Sequence, residues 1–198
     1  MKDYYNNGEE IEEELGESKV ERRLLRGKRT VLLAEDIYSS TARKFVEDVL
    51  ILSDRIEPIT LVIASDGGSV QSGLACIKAI REAQAKGIKV IGRVYGHAMS
   101  MAFIILQCCD ERIMGKLCTL MAHGVTTFSI GDLRNIDSER KLLGYWRKEI
   151  SSLIANRCTE RDSIWATSEF WEKIMSDNTP QYYDSEECLK MGLIDKID

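Results

Sequence analysis

The segment Ile59-Thr60-Leu61-Val62-Ile63-Ala64-Ser65 constrains this chain more than any other. It carries no charge, is rich in β-branched residues, and lies between Pro58 and the pair Gly67-Gly68. Such a run reads as a strand buried on both faces, which requires helices above and below it. The neighbouring segments supply them. Arg29–Ala34 (RTVLLA) is a short apolar run, and residues 40–53 place Ala42, Phe45, Val46, Val49 and Leu50 on one helical stripe. Residues 70–85 return to helical spacing through Val70, Leu74, Ile77 and Ile80. IKVIGRV (88–94) reads as a third strand, AMSMAFIILQCC (98–109) as a buried helix, and ERIM (111–114) and CTLMAH (118–123) as two short strands. Strand–helix–strand repetition with short connections predicts an α/β fold with a mainly parallel sheet.

The longest helical pattern covers residues 132–157, with Ile136, Leu143, Trp146, Ile150 and Leu153 on its apolar stripe. It is longer than an α/β core needs, so it is expected to project and pack on another subunit. Helical pieces at 168–176 and 184–191 and a final strand at Leu193-Ile194-Asp195 close the chain.

With 198 residues, 27 Lys+Arg against 32 Asp+Glu and a formal charge of −5, the chain reads as one globular domain, residues 20–198. The acidic balance gives no footprint for nucleic acid or for an anionic membrane. The longest apolar stretch, Ala98–Leu106, is about half of the ~20 residues needed to span a bilayer. Residues 1–19 are acidic and poor in aliphatic side chains. They read as a mobile arm that affects access or partner docking, not as a signal or transit peptide. The six cysteines show no regular spacing, no CxxC occurs, and there are two histidines. That inventory argues against a disulfide framework and against a metal site, and for a reduced, cytoplasmic setting.

Sites in α/β sheets form at the carboxyl ends of parallel strands, and three such ends carry unusual residues. Ser65-Asp66-Gly67-Gly68-Ser69-Val70 joins a strand to a helix through paired glycines, which allow a sharp turn and an exposed N–H. Gly96-His97-Ala98-Met99-Ser100-Met101 sets a serine at the start of an apolar helix, where free N–H groups can stabilise an oxyanion. It is not the G-x-S-x-G elbow of the α/β-hydrolases. His123 follows the strand CTLMA. A serine hydroxyl needs a base to become a nucleophile, and the chain offers His97 and His123. His97 lies three residues before Ser100 on the same segment, a poor line-up, whereas His123 can approach from the side.

Together, the order S-x-GGSV, helix, strand, G-x-A-x-SM, apolar helix, strand and M-x-H resembles the ClpP-type serine peptidase family over about residues 22–198. RRLLRGKRTVLLAEDI and SEECLKMGLIDKI look like that family's entry strand and closing helix–strand. The resemblance implies Ser100 as nucleophile, His123 as general base, and the N–H groups of Gly68 and Met101 as the oxyanion hole. It implies that Gly67, Gly68, Ser69 and Val70 bind a peptide as an added strand, and that residues 124–157 form the handle through which rings stack. It further implies a self-compartmentalised homo-oligomer of stacked rings, no cofactor for the chemistry, and an AAA+ unfoldase as a separate partner.

Several positions depart from the family pattern: Asp66 stands for the usual Pro, Ala102 for Gly, and Gly124-Val125 for Gln-Pro. Pro180 falls on the orienting Asp in a gapless alignment, leaving Asp177 as the expected third member and Asn178 as its alternative. The same two residues read more blandly as the cap of the preceding helix. The competing functions are a catalytically inactive ring subunit of the same fold and a crotonase-like acyl-CoA enzyme.

Overall fold

The computed structural model describes residues 25–125, 133–158 and 163–198. The expected arm at 1–19, and residues 126–132 of the expected handle, lie outside the described residues.

Among the described residues seven strands form one sheet: β1 (Thr30–Leu33), β2 (Ile59–Ser65), β3 (Val90–Met99), β4 (Glu111–Met114), β5 (Thr119–Ala122), β6 (Gln181–Tyr183) and β7 (Lys196–Ile197). The helices are α1 (Ser39–Leu52), α2 (Val70–Ala85), α3 (Met101–Gln107), α4 (Leu133–Ala155), α5 (Ser168–Ile174) and α6 (Ser185–Met191), with a 3₁₀ turn at Ile164–Ala166. The main path runs β1-β2-β3-β4-β7, all parallel. β3 is the hub. Its first half pairs with β4 and its second half with β5, in register His97↔Thr119 to Met99↔Met121. β6 joins β5 as the single antiparallel pair among the described strands.

Three readings of the sequence are corrected here. β2 alternates between full and partial burial instead of being buried on both faces. Ile59, Leu61 and Ile63 are sealed, while Thr60, Val62 and Ala64 share a half-open face with Leu32, which is 50% exposed. β3 also runs five residues beyond the predicted end at 94, so that Ala98 and Met99 are strand rather than helix. Positive φ at Gly96 (87°) lets the strand continue past a register break opposite Ala64. The expected strand at 193–195 lies at Lys196–Ile197, because Arg112 holds Asp195 in the approach to it.

Arg112 is the one charged side chain among the buried residues of the sheet, at 1% exposure, and each of its polar atoms is matched. Nε and Nη2 donate to the two carboxylate oxygens of Asp195 (2.9 and 2.7 Å), and Nη1 donates to Gln107 Oε1 and to the Gly192 carbonyl (2.8 Å each). These bonds tie α3, β4 and the end of α6 into one block. Burial works against the Asp195 carboxylate, but the Arg112 hydrogen bonds and charge hold it below the usual carboxylate range.

α4 divides along its length. Ile150, Ile154 and Ala155 are buried against the body, whereas Ile136, Leu142 and Tyr145 are exposed, Tyr145 by 60%. Of the predicted stripe, Ile150 is buried, Leu143, Trp146 and Leu153 are half-buried, and Ile136 alone is exposed, so the free apolar surface of α4 lies at its N-terminal half and includes Leu142 and Tyr145 outside that stripe. Trp171, fully buried, packs edge-on against Phe170 and donates Nε1–H to the Trp165 carbonyl (2.7 Å), which ties α5 to the 3₁₀ turn that precedes it.

Removing one member of the Arg112–Asp195 pair strands a buried guanidinium. Asp195→Ala should cost about 2–3 kcal/mol in denaturant unfolding, less than for a wholly buried pair because Asp195 is partly open. The carboxylate is depressed when folded, so its contribution is present above the ordinary carboxylate pKa and lost as pH falls through the folded value. The gap between wild type and variant should narrow accordingly in acid.

Candidate active site

The site is assembled where the ends of β2, β3 and β5 meet. At the end of β2 the chain turns through Gly67 (φ 95°) and Gly68 (φ 142°), values that side-chain-bearing residues rarely adopt. The glycines are also required by contact. A Cβ on Gly67 would lie 2.6 Å from the Met99 carbonyl oxygen and 2.8 Å from the Met101 nitrogen; one on Gly68 would lie 2.5 Å from the Ile37 carbonyl oxygen. Ser65 Oγ braces the turn by donating to the Glu35 carbonyl (2.7 Å) and accepting from Gly67 N–H (3.1 Å).

One edge of the Gly67–Ser69 segment is occupied: Ile37 N–H donates to the Gly67 carbonyl and Ser69 N–H to the Ile37 carbonyl (2.7 and 2.8 Å). That parallel bridge leaves Gly68 N–H directed to the other edge, without a backbone acceptor among the described residues. Met101 N–H, the first of α3, likewise has no backbone acceptor there.

Ser100 sits between β3 and α3 at φ 52°, ψ −118°. A non-glycine residue in that region stores about 1–3 kcal/mol of strain, which its surroundings must sustain. Ser100 N–H donates to the Met121 carbonyl (2.8 Å), so the β3–β5 pairing extends through the strained residue. His123, half-buried just after β5, places Nε2 2.9 Å from Ser100 Oγ. With the hydroxyl donating to Nε2, the ring proton resides on Nδ1. A hydroxyl on a neutral imidazole beside two unengaged N–H groups can lose its proton during attack on a carbonyl, while those donors receive the oxyanion.

His97 is not part of this pair: its Nε2 meets Asp66 Oδ1 at 3.3 Å. Asp66, whose side chain is 71% exposed, is thereby engaged on the flank of the glycine turn.

The segment expected to orient His123 is close to it. Gly124 N–H donates to the Asp177 carbonyl (2.7 Å), and a Cβ on Gly124 would come within 3.0 Å of Asn178 Oδ1. The side chains do not complete a triad, however. The Asp177 carboxylate is exposed and accepts from Thr179 N–H (2.9 Å), a local turn that holds its pKa below the ordinary carboxylate value. Among the described residues, neither Asp177 nor Asn178 hydrogen-bonds to His123. Pro180, at the aligned position, offers no side-chain acceptor.

An apolar cavity of about 70 Å³ opens beside Ser100 and His123, walled by Val70, Met101, Ile104, Ile150 and Met175. Sequence reasoning missed the last three as site residues, since their helical spacing is indistinguishable from that of ordinary core. A larger cavity of about 750 Å³, lined by Trp165, Phe170 and Lys173 among others, contains neither Ser100 nor His123. The buried thiols are no rivals to the serine: burial pushes Cys76 up to about 12 and Cys108 up to about 11, so both stay protonated near neutrality. Among the described residues no cluster of three His, Cys, Asp or Glu side chains could hold a metal, and no helix is long and apolar enough to cross a membrane.

Comparison with known proteins agrees with this architecture. The family described as Clp protease matches residues 12–198. The ATP-dependent Clp protease proteolytic subunit 2 of Chlamydia trachomatis is 27% identical over 174 residues, covering 85% of this chain and 80% of the relative. The subunit 2 proteins of Tropheryma whipplei (28% over 175 residues, 85% and 90% covered) and Borreliella burgdorferi (23% over 172 residues, 85% and 82%) are similar to it as well. With a family match over nearly its whole length, on a mainly parallel α/β sheet that brings a serine and a histidine together, this chain belongs to the Clp protease family.

Proposed function

We propose that the protein is a serine endopeptidase of the ClpP type, acting in the cytoplasm inside a homo-oligomer of stacked rings. The observation that carries this reading is the 2.9 Å contact between His123 Nε2 and the strained Ser100 Oγ, beside the unengaged N–H groups of Gly68 and Met101. Ser100 Oγ attacks the peptide carbonyl carbon as its proton passes to His123 Nε2. The carbonyl oxygen, now an anion, accepts from Gly68 and Met101 N–H. Collapse breaks the C–N bond, and His123 returns the proton to the departing amine. A water then repeats the sequence on the acyl-serine and releases the carboxylic acid. The substrate pairs as a strand along the free edge of Gly67–Val70, with its apolar P1 side chain in the cavity walled by Ile104, Ile150 and Met175. None of these steps uses a cofactor.

Residues 20–198 act as one peptidase domain, with 124–157 as the handle and 1–19 outside the chemistry. The exposed apolar half of α4 and the half-open sheet face at Leu32 and Val62 support assembly, since a monomer would leave both wet. The relatives are named as subunits of an ATP-dependent protease, which supports an AAA+ unfoldase as a partner here. A second reading, an inactive ring subunit, draws on one observation: Nδ1 of His123 has no partner among the described residues.

Three outcomes test the proposal. Ser100→Ala, nearly isosteric, should lower peptide turnover by about four orders of magnitude or more with the assembly intact. Undiminished turnover would contradict the assignment. For the orienting residue, Asp177→Ala and Asn178→Ala should be compared on one short peptide. The residue that swings onto Nδ1 in the substrate complex should cost roughly two to four orders of magnitude in kcat, and losses below about threefold in both mean that Ser100 and His123 act as a dyad. Sedimentation at micromolar concentration should show a large oligomer; only a 22.5 kDa species would refute assembly.

A further inference from the structure

Beyond the apolar cavity at Ser100, a second depression of about 380 Å³ runs between the Gly68–Gln71 segment and α4. It shares Gly68, Val70 and Val125 with the cavity at Ser100, so a peptide lying along the free edge of Gly67–Val70 extends into it. Its α4 wall is made by Glu139, Leu142, Leu143 and Trp146. These positions are spaced i, i+3, i+4 and i+7, one face of a helix. An apolar strip ending in an aromatic ring is therefore headed by a carboxylate.

Glu139 is the one charged side chain lining this groove among the described residues. It is exposed and makes no ion pair there, and the opposite wall offers Ser69 and Gln71 but no cation. A wall of this kind complements one class of side chain. Lys and Arg carry an apolar stem that packs on Leu143 and Trp146, with a cationic head that reaches a carboxylate or an aromatic face. A neutral apolar side chain would fill the strip but leave the carboxylate unmatched, and an acidic one would face it with like charge.

Resting on the peptidase reading above, we infer that Glu139 is a specificity-determining residue that favours peptides with a basic side chain in the groove beside P1. Because Glu139 is solvated, the preference acts mainly through KM and is screened by salt.

The test uses internally quenched peptides with a fixed apolar P1 residue, in which a single Lys, Gln or Glu is walked from P4 to P3′. In the wild-type assembly, Lys should be preferred over Gln at one subsite by roughly two- to fivefold in kcat/KM, the scale of an exposed ion pair. Glu139→Gln should abolish the preference, and Glu139→Lys should turn it toward Glu. Sedimentation of both variants checks that the assembly persists. The same peptides are then titrated by fluorescence anisotropy against the Ser100→Ala protein. Lys-selective binding that vanishes in Ser100→Ala/Glu139→Gln supports the inference even if the wild type proves inactive, in which case the peptidase reading alone fails. Peptide turnover with no Lys preference at any position, or a preference unchanged in Glu139→Gln, overturns the inference and leaves the peptidase reading standing.

Discussion

Two turns of backbone meet in van der Waals contact at the centre of this protein, and the geometry of the site follows from that contact. The loop after β2 and the turn between β3 and α3 approach so closely that a single Cβ on Gly67 would intrude on Met99, Ser100 and Met101 together. Glycine at 67 lets the N–H groups of Gly68 and Met101 converge, and glycine at 68 lets the segment at Ile37 pass on the far side. Ser100 bears the conformational cost at φ 52°, and its own N–H bond to Met121 is part of what sustains it. The same bond sets the height of β5 and hence of His123, so the strain on the serine and the reach of the base have a common structural cause.

The rest of the fold holds that junction still. β3 runs long enough to pair with β4 in its first half and β5 in its second, and so spans from the Arg112 block to Ser100. Arg112 clamps the far end, where four polar partners make a buried guanidinium tolerable. On the near side, Trp171 anchors α5, which carries Met175 into the apolar cavity and the 177–178 loop beside Gly124. The least constrained part is the Asp177 carboxylate, exposed and satisfied by its own turn.

Much of this was legible in the sequence because the signals were local. β2 and α2 fall on the predicted 59–65 and 70–85, since Pro58, the glycine pair and a clean change of period mark their limits. Ser100 and His123 stood out as polar residues at apolar strand ends, and the structure brings their side chains together. What was not legible depends on contacts between distant segments. The one-sided burial of β2 depends on where the helices pack, and neither the continuation of β3 through Gly96 nor the short antiparallel β6 has a periodic signature. Ile104, Ile150 and Met175 line the cavity through tertiary placement alone. The Asp177 side chain shows the same limit, because its proximity to His123 in the chain's path did not decide where its carboxylate points.

The central claim is that the Ser100–His123 contact is a working nucleophile and base. Reaction of the intact assembly with a fluorophosphonate, followed by mapping of the modified peptide, tests it most directly. The account predicts one adduct per chain, on Ser100, formed at a rate that collapses in His123→Ala. An unlabelled Ser100 in a folded assembly, or a stable adduct on another residue with Ser100 untouched, would contradict it.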